Sequence, residues 1–235
     1  NTASAKNELL FYSLKTKKTY SFIEKGENTF PSNRNIVNHD EMELKISDDG
    51  KKVFFSIKEE SAADKVATLD KVQIWNGNDK FLYPLEQKID GWKNVVKTAV
   101  WFPEKRTYRQ VTSDTLPWLA LTANQTHSLT GNPKAYEPQY KYFGDMDYYL
   151  TDLETGYSFP LLEKQSGDIG QIGISSLGKY ICYYRQKNWW IYNINEKTHL
   201  NVTKDTTIEW DDSSLDPGND ISAFGNPGWT THNEL

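Results

Sequence analysis

Short apolar or aromatic runs alternate with turn residues about every eight to twelve positions along this chain, and no window holds a sustained helical period. The pattern predicts a nearly all-β protein. Two stretches align with one another: Ile46-Ser47-Asp48-Asp49-Gly50-Lys51-Lys52-Val53-Phe54-Phe55 and Ile174-Ser175-Ser176-Leu177-Gly178-Lys179-Tyr180-Ile181-Cys182-Tyr183. Each reads as strand, Ser, Gly-Lys turn, strand. A glycine that accepts positive φ lets the incoming strand reverse, and the apolar run behind it feeds a sheet interior.

A second pattern recurs at residues 12–20, 150–158 and 192–200, each time a strand, a polar turn and a return strand. A fourth copy, 101–108, runs on to Val111-Thr112, just as the copy at 192–200 runs on to Val202-Thr203. Recurrence with the same internal order at a spacing of roughly 40 to 50 residues is the mark of a β-propeller of four-stranded antiparallel blades, not of a sandwich. The expected division is a blade end at 8–24, a blade at 41–112 with an insertion at 61–93, a blade at 116–164, a blade at 169–203 and the start of a further blade at 204–235. Within the insertion, Val72-Gln73-Ile74-Trp75 and Phe81-Leu82-Tyr83 flank Asn76-Gly77-Asn78-Asp79 and carry a hairpin signal of their own. On this division the chain begins and stops in mid-blade. An incomplete ring is therefore expected, either joined through its two ends or left with open blade edges that pair with a second copy.

Composition narrows the function classes. The chain has 235 residues, 14% aromatic and 25% charged, which describes a globular protein with a real core. No apolar run approaches the roughly 18 to 20 residues needed to span a bilayer as a helix. The net charge of −5, with no Lys/Arg cluster interleaved with aromatics, argues against nucleic acid as a partner. Cys182 is the single cysteine and lies in an apolar run, so neither an internal disulfide nor a cysteine metal site is expected, and it reads as a small buried hydrophobe.

The order of Ser47-Asp48-Asp49-Gly50-Lys51, Val72-Gln73-Ile74-Trp75, the hairpin at 101–112, Tyr148-Tyr149-Leu150-Thr151-Asp152-Leu153-Glu154-Thr155-Gly156 and Trp189-Trp190-Ile191-Tyr192-Asn193-Ile194 resembles the N-terminal propeller of prolyl oligopeptidase and dipeptidyl peptidase IV-like serine peptidases. The stretch from about Ile169 to Gly228-Trp229 carries most of the likeness, and the individual motifs are shared with TolB-like and WD-type propellers. The resemblance implies a non-catalytic domain that gates and positions peptide for an adjoining α/β-hydrolase domain, in an exported, periplasmic or secreted protein. That hydrolase domain bears Ser, Asp and His, the Ser in a Gly-x-Ser-x-Gly elbow. The nearest text here, Gly173-Ile174-Ser175-Ser176-Leu177-Gly178, has its second glycine one place too late and falls in a blade hairpin. The catalytic triad is thus expected beyond Leu235. A stand-alone TolB-like propeller acting as a protein-interaction module is the alternative, and a carbohydrate-binding propeller is a third.

No catalytic, cofactor or metal residue is assigned. His39, His127, His199 and His232 are scattered and form no His-x-x-x-His pair. Glu209, Asp211, Asp212, Asp216 and Asp220 lack the alternate spacing of a calcium loop and read as a solvated inter-blade segment. The glycines in 167–173 precede a strand, not the helix a dinucleotide fingerprint requires. Trp189, Trp190, Tyr183 and Tyr184 are candidates for a stacking surface, but strand alternation puts about half of them in the inter-blade core, and core is the expectation for most. Asn124-Gln125-Thr126 and Asn201-Val202-Thr203 match the N-glycosylation pattern.

Overall fold

A computed structural model of the chain describes residues 7–24, 30–38, 44–59, 75–212, 222–225 and 228–234. They form two compact units, residues 1–76 with 81–117, and residues 77–80 with 118–235.

In the first unit, β1 (Glu8–Ser13) and β2 (Lys18–Ile23) make a hairpin. Beside them stands a sheet of β3 (Arg34–Val37), β4 (Lys45–Ile46), β5 (Val53–Glu59), β6 (Lys97–Phe102) and β7 (Thr107–Gln110). Its order is β3-β5-β6-β7, and β4 also pairs with β5, so β3 and β4 act as two pieces of one first strand. Period-2 alternation sends Val53, Phe55, Ile57, Ala99 and Trp101 to one face, where they meet Phe11 and Phe22 of the hairpin. Phe22 alone touches the rings of Phe30, Phe55, Trp101 and Tyr108 at 5.4–5.7 Å. Each such fully buried ring contributes about 1.5–3 kcal/mol through the apolar surface it removes from water.

Val72, Gln73 and Ile74 lie outside the described residues. Phe81 and Leu82 form no strand but lead into a short helix, α1 (Tyr83–Ile89), instead of the return arm of a hairpin. Pro84 explains the difference: its fixed φ suits the first helical turn and it has no N–H to give a strand ladder.

The second unit repeats one plan twice. β8 (Trp118–Leu121), β9 (His127–Gly131), β10 (Asp145–Asp152) and β11 (Ser158–Ser166) form one antiparallel meander. β12 (Ile172–Ile174), β13 (Tyr180–Arg185), β14 (Asn188–Asn193) and β15 (Thr198–Asn201) form the next. Two-residue strands β16 (Asp211–Asp212) and β17 (Ser222–Ala223) follow. The meanders pack face to face, with Leu129, Met146, Tyr148, Leu150 and Leu162 of one against Ile181, Tyr183, Tyr192 and Ile194 of the other. On the far face of β13 and β14, Cys182, Tyr184 and Trp189 are covered by Trp210, Ala223 and Trp229. Four-stranded meanders sandwiched in this way are propeller blades.

The repeated turns are built alike. At the first-to-second-strand turn, Ser47 N donates to Lys52 O (2.9 Å) and Gly50 N to Ser47 O (2.8 Å), while Lys52 N donates to Ser47 Oγ (3.0 Å). Ser175 makes the same three bonds with Gly178 and Tyr180, at 2.9, 2.8 and 2.9 Å. Gly50 and Gly178 sit at φ +67° and +65°, as the sequence pattern required. The structure adds a third copy at Thr122, with Gln125 at φ +48° where the others have glycine. A fourth is centred on Thr230, whose Oγ1 accepts Glu234 N (3.0 Å), with Asn233 at φ +64°. Successive turns touch: Asn124 Nδ2 donates to Gly178 O (3.5 Å), and Leu177 N donates to Asn233 Oδ1 (2.8 Å).

The third-to-fourth-strand turns have their own cap. Asp152 Oδ1 accepts Glu154 N and Thr155 N at 2.8 Å each, and Asn193 Oδ1 accepts Asn195 N and Glu196 N at 3.0 and 3.2 Å. Val111-Thr112 and Val202-Thr203 also prove equivalent. The Thr112 hydroxyl accepts Thr98 N (2.8 Å) and the Thr203 hydroxyl accepts Trp189 N (2.9 Å), each tying the end of a fourth strand to the start of the third.

Candidate functional site

Most candidate groups from the sequence are consumed by the fold. Ser175 is fully buried and its Oγ accepts Lys179 N and Tyr180 N, so it holds a turn. The Thr126 hydroxyl bonds both Asn124 Oδ1 (2.8 Å) and His127 Nδ1 (2.9 Å), and burial pulls the His127 pKa down against the opposing pull of Asp152. His199, on β15, bonds Tyr183 OH through Nδ1 (2.8 Å) and packs on Tyr192, and burial lowers its pKa as well. His232 lies in the exposed Thr230 turn, and His39 is outside the described residues. The four histidines have no common site among the described residues.

Asp211 is buried and accepts the Tyr184 hydroxyl at 2.6 Å, whereas Glu209 is exposed and Asp216 and Asp220 lie outside the described residues. Burial pushes the Tyr184 phenol up, and Asp211 adds to this. Among the described residues no three His, Cys, Asp or Glu side chains converge in a way that would hold a metal ion. Asp168 accepts Gly170 N (2.8 Å) and caps a 3-10 turn that leads into β12. Cys182 is buried beside Trp229, and burial raises its thiol to about 11, which makes it inert.

The aromatic candidates are core residues, as expected for most of them. Tyr183, Tyr184 and Trp189 are all buried, and Trp190 is half-buried with its indole N–H given to Arg185 O (3.0 Å). Alternation does divide them between two faces, but both faces of this sheet are covered, so neither half is left as a stacking surface.

In the second unit, one connection is much longer than its counterpart in the next blade. Between β13 and β14 the chain reverses in two residues, Gln186 and Lys187, at φ +53° and +61°. The same connection between β9 and β10 takes residues 132–144. Its backbone is tied down by side chains: Gln139 Nε2 donates to Asp145 O (3.1 Å) and Asp145 N returns a bond to Gln139 Oε1 (2.6 Å). Lys134 pairs with Glu137 (2.9 Å) and Lys141 with Asp145 (2.8 Å). Burial would raise the Glu137 carboxyl, but the bonds from Lys134 and Gln139 N outweigh it and hold the carboxyl low. Tyr136 OH donates to Asp147 Oδ1 (2.6 Å), and this bond pushes the phenol up to about 12.

From this frame Tyr140 and Tyr142 project, 77% and 86% exposed, with Phe143 set edge-on to Tyr142 at 4.7 Å. The Tyr140 hydroxyl also reaches Gly77 O and Asn78 Oδ1, both at 3.3 Å. What this loop presents to solvent is ring surface with two phenol hydroxyls. Sequence reasoning passed over this segment, although four aromatics without strand alternation in residues 136–143 were a signal that they do not fill a blade.

Residues 123–235 match the family described as the dipeptidyl peptidase IV (DPP IV) N-terminal region. Among solved structures, the chain is similar to the β-propeller domain of the trilobed protease from Pyrococcus furiosus, with 13% identity, 83% of this chain and 48% of that one covered, and a TM-score of 0.34. It is also similar to Porphyromonas gingivalis dipeptidyl peptidase 4, with 14% identity, 88% and 30% covered, and a TM-score of 0.44. A prolyl endopeptidase matches with 12% identity, 82% and 25% covered, and a TM-score of 0.37. The chain spans less than half of each of these solved chains. No curated protein matches it in sequence. The matched segment, residues 123–235, carries most of the two repeated blades of the second unit.

Proposed function

We propose that this chain is the non-catalytic propeller of a prolyl oligopeptidase-type serine peptidase, limiting access to an α/β-hydrolase domain of the same polypeptide and positioning peptide for it. The match of residues 123–235 to the DPP IV N-terminal region carries the reading. The blade construction supports it, because rigid sheets with polar groups spent in turns suit a wall and a gate. In this arrangement the serine, its base and its oxyanion hole come from the hydrolase domain. The propeller contributes exclusion by size and orientation of the peptide, which lower the entropy cost of reaching the attack geometry. By the same family analogy the parent protein acts outside the cytoplasm, which cell fractionation tests.

The decisive experiment expresses the complete gene product and treats it with a fluorophosphonate probe, with the 235-residue chain as control. Labelling of the complete product alone is expected. A complete product that takes up no probe would remove the peptidase reading and leave a stand-alone interaction propeller in its place.

A further inference from the structure

We propose that Asn76 is a site of spontaneous covalent modification, at which the Gly77 nitrogen closes on the Asn76 side-chain amide and turns position 76 into aspartate and isoaspartate. The site is independent of the peptidase reading. Asn76 and Gly77 lie ahead of α1 in residues 75–80, all of which are exposed. Ring closure needs a following residue without a side chain in the way, a nitrogen not held in a hydrogen bond, and room for the two groups to rotate into contact. Gly77 meets all three conditions. No atom lies within 4 Å of the place where its Cβ would stand. Among the described residues its N–H has no acceptor, and only its carbonyl is used, by the Tyr140 hydroxyl at 3.3 Å.

The fold denies the same chemistry to comparable places. At Asp49-Gly50 the nitrogen donates to Ser47 O (2.8 Å), and the Asp49 carboxylate accepts Ser47 Oγ (2.6 Å), Lys52 Nζ (3.0 Å) and Lys51 N (3.1 Å). Behind Asn124, Gln125 N donates to Thr122 O (2.8 Å), and behind Asn193, Ile194 N donates to Lys179 O (3.0 Å). In each case the attacking nitrogen is engaged until the turn opens.

In the reaction, Gly77 N loses its proton to solvent and its electron pair forms a bond to Asn76 Cγ. The Cγ–Nδ2 bond breaks, and Nδ2 takes up a proton and leaves as ammonia. Water then opens the resulting five-membered succinimide. Breaking the new bond to Cγ gives aspartate, whereas breaking the original peptide bond gives isoaspartate, whose main chain runs through Cγ and is one methylene longer. One water is consumed and one ammonia released, with no oxidant or cofactor. Either product makes the net charge of −5 one unit more negative. Isoaspartate also displaces the chain next to Gly77 and Asn78, so the Tyr140 bonds to Gly77 O and Asn78 Oδ1 are those it breaks. The change accumulates with time and marks the age of the molecule.

The test incubates the 235-residue chain folded in buffer and unfolded in urea, and follows each position by peptide mass spectrometry. Isoaspartate is confirmed by methylation with an isoaspartyl carboxyl methyltransferase. Position 76 should convert in the folded chain within about threefold of its rate in urea, because nothing there has to open first. Asp49, Asn124 and Asn193 should react at least about tenfold more slowly folded than in urea, their following nitrogens being released only by unfolding. Gly77 stands outside the left-handed region, so Gly77→Ala should keep the far-ultraviolet spectrum. The added methyl group should slow conversion at position 76 at least about tenfold by crowding the attack. Protection of position 76 in the folded chain beyond that threefold overturns the proposal, as does a conversion rate that Gly77→Ala leaves unchanged.

Discussion

Replacing Gly178 by alanine should cost much more than replacing Gly50, although the two glycines occupy the same place in the same turn at nearly the same φ. For both, an alanine must be held in the left-handed region, at about 1–2 kcal/mol. At Gly50 nothing lies within 4 Å of the added Cβ, so that is the whole effect. At Gly178 the Cβ would meet Asn124 Oδ1 at 2.6 Å, its Cγ at 2.7 Å and its backbone N at 3.0 Å. The Asn124 side chain can rotate away, but only by leaving Gly178 O, Thr122 Oγ1 and Thr126 Oγ1, at a net of roughly 0.5–1.5 kcal/mol for each bond lost. The backbone N cannot follow.

Gly178→Ala should therefore destabilise by about 3–4 kcal/mol and Gly50→Ala by about 1–2 kcal/mol, the excess being the contact between successive blade turns. Urea unfolding followed by tryptophan fluorescence measures both, and Asn124→Ala in the Gly178→Ala background should recover about 1 kcal/mol by removing the obstructing side chain. Equal losses for the two glycine variants, or strict additivity with Asn124→Ala, would refute the claim that the turns hold neighbouring blades together.

Thr203→Val should leave the buried Trp189 N–H without an acceptor and cost about 1–3 kcal/mol in thermal unfolding, with Thr112→Val at Thr98 N a close parallel and Thr203→Ser nearly neutral. Tyr184→Phe strands the buried Asp211 carboxylate and should destabilise by a similar amount, and adding Asp211→Asn should return part of the loss, which a double-mutant cycle reads directly. Burial alone would raise the Asp49 carboxyl, but the Ser47 hydroxyl, the Lys52 ammonium and Lys51 N outweigh it and bring it from 3.8 to about 2. A carboxyl with a lower folded pKa stabilises the fold above 3.8 and loses that contribution as pH falls toward 2, so Asp49→Asn should flatten the acid limb of a melting-temperature series across that window and change little at neutral pH.

The blade plan was legible because its determinants are local. Period-2 runs and a glycine at a fixed offset mark a strand–turn–strand unit without reference to the rest of the chain, and Gly50 and Gly178 sit where that logic requires. The turn at Thr122 escaped the same logic because Gln125 takes up the left-handed conformation, its amide bonded to Ala123 O, and no glycine announces the site. Its Asn124-Gln125-Thr126 segment instead reads as a glycosylation pattern, whereas the Asn124 side chain fastens one blade turn to the next. Val111-Thr112 and Val202-Thr203 looked like a repeated ending, and only the fold gives the reason, a hydroxyl that reaches an amide at the start of the preceding strand in the meander.

The same boundary between local and non-local determinants explains why the candidate site was hidden. Alternation puts Tyr183 and Tyr184 on opposite faces, and stacking of blades covers both. The two most exposed aromatics, Tyr140 and Tyr142, lie where no alternation runs, in a segment fixed by partners such as Gln139 with Asp145 and Tyr140 with Asn78. A repeat architecture spends its periodic residues on holding itself together. Among the described residues of the second unit, the exposed aromatics stand mostly where the period is interrupted, between β9 and β10.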